Sequence, residues 1–123
     1  MNIHIRTIPH AEHRYDTAGD YWWTLGGDLE IRVSDLGDWR KELLVAVHEL
    51  IEATLCENRG IAEPDIMAFD MSIPDHPDPG SHPDAPYAKE HFFAECVERL
   101  LCAELGLRWQ DYDATFEGLE WQS

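Results

Sequence analysis

From Leu43 to Cys56 the chain reads LLVAVHELIEATLC. Wound into a helix at about 100° per residue, this stretch turns apolar side chains in nearly every direction. Such a helix must be buried on most sides, so the rest of the chain has to wrap around it. Yet His48, Glu49 and Glu52 stand in its middle. An unpaired carboxylate in that setting costs several kcal/mol, so these groups need partners. His48 and Glu52 are four residues apart and share a face, while Glu49 is rotated roughly 100° away. A His and a Glu at that spacing form a workable two-ligand platform for a metal ion. The competing reading is a hydrogen bond between them, or an ion pair with an arginine such as Arg99.

The 123 residues fit one domain, 1–123, in four parts. Residues 1–37 are β-rich. Ile3 and Ile5 alternate with His4 and Arg6, a short strand ending at Pro9. Residues 21–34 read as a hairpin: Tyr21 to Leu25, a Gly26-Gly27-Asp28 turn, then Leu29, Ile31 and Val33 alternating with polar residues. Residues 38–59 hold the motif helix, with Asp38 as N-cap and Gly60 as left-handed stop. A short helical segment near Asp65 to Asp70 follows, entered through Pro64. Residues 74–86 contain five of the seven prolines and form a loop. A second helix runs over 86–105 up to Gly106, and Trp109 to Leu119 adds a final turn or short helix. The expected architecture is α+β, a small antiparallel sheet of about three strands packed with two principal helices.

Nine Lys and Arg against 25 Asp and Glu give a net charge of −16, which repels nucleic acid and anionic membranes. A surface this acidic suits cation binding or a basic protein partner. No apolar run approaches about 18 residues, so no membrane span is expected, and the N-terminus lacks the features of a signal peptide. Cys56, Cys96 and Cys102 form no CxxC pair and read as reduced thiols of a cytoplasmic protein.

The second helix offers further ligands. His91, Glu95, Glu98 and Cys102 form one stripe, and Phe93, Val97, Leu100 and Leu101 an adjacent apolar face suited to packing on the first helix. If the two helices run antiparallel, His91 and Glu95 approach His48 and Glu52, with His91 ranking first as an added ligand. His76 and His82, in the proline-rich loop among Asp75, Asp78 and Asp84, are further candidates to close the shell.

The segment Val47-His48-Glu49-Leu50-Ile51-Glu52-Ala53 resembles the HExxH helix of the zincin metallopeptidases, gluzincin type, with glutamate in place of the second histidine. The strand Leu29 to Val33 before the motif and an acidic helix after it extend the likeness. The resemblance implies a zincin-like fold and a hydrolase of peptide or amide bonds. It implies His48 as zinc ligand, Glu49 as the residue that activates water, Glu52 as substitute ligand, and a residue of the second helix to complete the site. A weaker resemblance joins Glu49-x-x-Glu52 and Glu95-x-x-Glu98 to the acidic pairs of MazG-type nucleoside triphosphate pyrophosphatases, which implies magnesium or manganese as the ion. A third reading is an acidic, non-enzymatic inhibitor or adaptor that covers a basic protein surface.

Overall fold

The computed structural model describes residues 1–121. Three strands, β1 (Ile3–Ile8), β2 (Gly19–Trp23) and β3 (Leu29–Ser34), precede four helices: α1 (Trp39–Asn58), α2 (Glu63–Ser72), α3 (Ala88–Glu104) and α4 (Trp109–Thr115). The architecture is α+β with a small sheet and two main helices.

β3 lies at the centre of the sheet, in the order β1-β3-β2. Its alternation explains the position, because Leu29, Ile31 and Val33 present one continuous apolar face and are buried almost completely. β2 and β3 form the expected antiparallel hairpin, with Trp23 opposite Leu29 and Gly19 opposite Val33. Gly27 turns the chain at φ 84°, a conformation that side chains with a Cβ resist. β1 departs from the antiparallel expectation: it runs parallel to β3, Ile3 beside Leu29 and Ile8 beside Ser34, and makes the sheet mixed. Residues 9–18 carry the chain past the central position to the far edge, so the first strand meets the third rather than the second.

Asp38 caps α1 through a hydrogen bond accepted from the Arg40 amide at 2.9 Å. Leu44, Val45, Ala46, Ala53 and Cys56 bury one side of α1 in the core shared with the sheet. α3 runs antiparallel along its other side, Glu98 meeting His48, His91 meeting Glu52 and Glu90 meeting Arg59. The face of α3 turned to α1 is Ala94, Glu98 and Cys102 with half-buried Leu101. This corrects the expected packing, for Phe93 and Leu100 point to solvent at 54% and 70% exposure. The roll has a physical reason: Ala94 permits close approach, and the inward-facing carboxylates of Glu90 and Glu98 find partners there. The proline-rich loop contains one 3₁₀ turn, Pro79–Ser81, that lies against α3. α4 tucks Tyr112 beneath α3 in full burial. No helix of the described residues is long and apolar enough to cross a membrane. All three cysteines are free, Cys96 being exposed and the other two buried.

Candidate metal centre

The polar centre of α1 and the first two turns of α3 meet in one cluster. His48 Nε2 lies 3.0 Å from Glu52 Oε2 and 3.1 Å from His91 Nδ1, and His91 Nδ1 lies 2.9 Å from the same Glu52 oxygen. Each residue thus contributes one donor atom to a common point, the arrangement a metal ion requires. His48 and Glu52 are brought there by helical spacing alone. His91 arrives through the antiparallel docking of α3.

The outer ring nitrogens are held as well. His48 Nδ1 sits 2.8 Å from Glu98 Oε1, and the other Glu98 oxygen accepts a hydrogen bond from the Tyr112 hydroxyl. His91 Nε2 sits 3.0 Å from Asp78 Oδ1, supplied by the proline-rich loop. A carboxylate behind each imidazole keeps a proton on the outer nitrogen and aims a lone pair inward. Two such lone pairs and a carboxylate oxygen, all within 3.1 Å, repel one another unless they share a cation. The donor set therefore fits a divalent ion. With protons alone the same demand appears as basicity. Burial opposes charge on His91, but Asp78 and Glu52 outweigh it and push its pKa up to about 10. His48 moves the same way against its burial, through Glu52 and Glu98. Glu52 is driven down to about 2, the hydrogen bonds from both histidines overcoming its burial.

Glu49 occupies a different position. Its side chain lies against β2, where a Cβ added to Gly19 would stand 2.6 Å from Glu49 Oε1 and 2.8 Å from Val45 Cγ1. The bare α-carbon of Gly19 is what leaves room for the carboxylate. Burial, with Glu52 nearby, raises the Glu49 pKa well above the ordinary carboxylate range. Gly80 has a matching role across the cluster: a Cβ there would stand 2.3 Å from His91 Nδ1.

Of the residues singled out in the sequence, His48, Glu52 and His91 come together and Glu49 lies beside them. Glu95 stands outside, 3.6 Å from Arg99 on the outer side of α3. His76 and His82 also lie apart, each ring nitrogen accepting from a loop amide two residues on. The four glutamates of the two ExxE pairs do not converge: Glu95 faces Arg99 and Glu98 faces His48 and Tyr112. Sequence reasoning assigned no part to Asp78, Tyr112 or Gly80. For Glu98 the signal was present, since it follows His91 by seven residues on one helical face. For Asp78 no local pattern distinguishes it from its neighbours Asp75 and Asp84. Comparison with protein families, curated proteins and solved structures finds no match to this chain.

Proposed function

We propose that this protein is a metal-dependent hydrolase of peptide or amide bonds, with zinc as its ion and His48, Glu52 and His91 as ligands. The observation that carries the reading is the convergence of these three donors, with the Glu49 carboxylate, packed against Gly19, close enough to feel the charges of all three. Two imidazoles and a carboxylate are a donor set that zinc accepts while keeping a further position open. When bound, zinc supplies Lewis-acid polarisation and lowers the pKa of water. The chain's own residues do the rest. Glu98 and Asp78 fix the orientation of the two rings. Glu49, with its raised pKa, holds and returns a proton at its carboxylate.

Burial of His48 and Glu52 to 8% and 4% exposure favours a second reading, a closed metal site that serves stability alone. Elemental analysis of untagged protein, beside His48→Ala and Glu49→Gln, separates the two. The hydrolase reading expects about one zinc per chain in the parent, none in His48→Ala, and full zinc in Glu49→Gln with hydrolysis reduced at least ~100-fold. Equal hydrolysis by parent and Glu49→Gln leaves the structural reading. Zinc retained by His48→Ala refutes the site itself.

A further inference from the structure

A different part of the molecule is left unfinished in a specific way. β1 forms one edge of the sheet, and every residue from Ile3 to Thr7 is exposed. Its core-facing side chains, Ile3 and Ile5, are 42% and 49% exposed, because α1 covers β2 and β3 and stops short of β1. Beside them an open groove of about 240 Å³ is walled by Ile5, Thr7, Val33, Trp39, Leu43 and Ala46, with one acid, Glu42. Trp39 and Leu43 are themselves 66% and 39% exposed.

The backbone of β1 is equally open. At its two ends the Asn2 carbonyl accepts from Leu29 and the Ile8 carbonyl from Asp35. Alternation along a strand then turns the even residues toward β3 and leaves the N–H and C=O groups of Ile3, Ile5 and Thr7 facing outward. Exposed edges are ordinarily protected by prolines, bulges or several charges. β1 carries one formal charge, Arg6, and no proline or bulge.

We infer that this edge is a dimer interface in which β1 pairs antiparallel with β1 of a second copy, about a twofold axis at Ile5. Ile5 then faces Ile5 of the second copy and Ile3 faces Thr7, each pair exchanging the outward bonds. Their side chains extend the apolar face over the groove and toward Trp39. Charge selects the second copy. The first ten residues contain no Asp or Glu, so β1 itself brings no acid to a seam between two chains of net charge −16, and the one carboxylate of the groove, Glu42, is engaged by the Leu36 amide. On the opposite face His4 comes to lie across from Arg6 of the second copy. His4 is already 2.9 Å from Glu30, whereas Arg6 has no ion pair among the described residues. Glu30 also accepts from Arg32 at 2.9 Å through its other oxygen, and the twofold brings each free guanidinium alongside the other chain's Glu30 as a further cationic partner.

Sedimentation velocity and light scattering over a concentration series test this. The parent should show twice the chain mass at micromolar concentration. Ile5→Pro deletes an N–H that faces outward rather than toward β3. It should raise the dissociation constant at least ~100-fold with unchanged circular dichroism and metal content. Arg6→Glu should weaken pairing roughly 10-fold, and Arg6→Glu with Glu30→Arg should restore it. A parent that remains monomeric at roughly 100 μM overturns the inference, whether or not the edge accepts a foreign peptide. So does a dimer indifferent to both Ile5→Pro and Arg6→Glu.

Discussion

Gly80→Ala is a one-atom perturbation whose consequence can be worked from distances. The new Cβ would stand 2.3 Å from His91 Nδ1, 2.4 Å from Cγ and 2.7 Å from Cε1. Ordinary contact between such atoms needs about 3.5 Å, so ring and backbone must separate by roughly 1 Å. The ring has little freedom to yield, being held by Glu52 on one side and Asp78 on the other. A ligand displaced by about 1 Å no longer meets its partners at bonding distance, and even weaker disturbances around a metal cost about 10–100-fold in affinity. Overpacking adds about 1–3 kcal/mol of destabilisation. The assay is zinc affinity by competition with a chromophoric chelator, paired with urea unfolding of the metal-free chains. Gly118→Ala is the control, since nothing lies within 4 Å of a Cβ there. Gly80→Ala should bind zinc at least ~10-fold more weakly than both parent and control. Zinc affinity equal to the parent's would show that His91 is not a ligand in this geometry.

Two further outcomes follow from buried polar groups. Burial lowers the His13 pKa to about 4 despite nearby Asp20, whereas the unfolded chain takes up that proton near 6.5. Protons thus bind the unfolded state preferentially between these values, and stability falls as pH drops from about 6.5 to 4, by about 2–3 kcal/mol. Urea unfolding across that range should show the loss in the parent, and a smaller one in His13→Gln. Tyr112→Phe removes the hydroxyl that donates to Glu98 and leaves a buried carboxylate oxygen unpartnered. It should cost about 1–3 kcal/mol in urea unfolding. It should also weaken zinc binding, by about 10-fold, because the carboxylate behind His48 loses its anchor.

What the sequence disclosed and what it withheld divide along physical lines. α1, with its cap at Asp38 and its end before Gly60, was legible because capping and periodicity are local. The His48–Glu52 pair was legible for the same reason. The parallel placement of β1 was not, since strand order depends on where a distant segment closes. The roll of α3 was not legible either, because Phe93 and Leu100 look like core residues. What decided it was a set of carboxylates that had partners waiting on α1 and α4. Asp78 was invisible because its role is conferred by a loop whose path only the folded chain defines.

The pairings of Glu98 with His48, His91 with Glu52 and Glu90 with Arg59 recur at successive levels along α1 and α3. They also act as the teeth of a key. Apolar helix faces are tolerant of sliding, because one leucine fits much as another does. Were α3 to slip by one turn against α1, every tooth would miss its slot, leaving three carboxylates stranded in a dry seam. Such groups add little to the depth of the native well, yet they raise the walls around it. The chain is therefore restricted to one alignment of its two long helices by its own side chains.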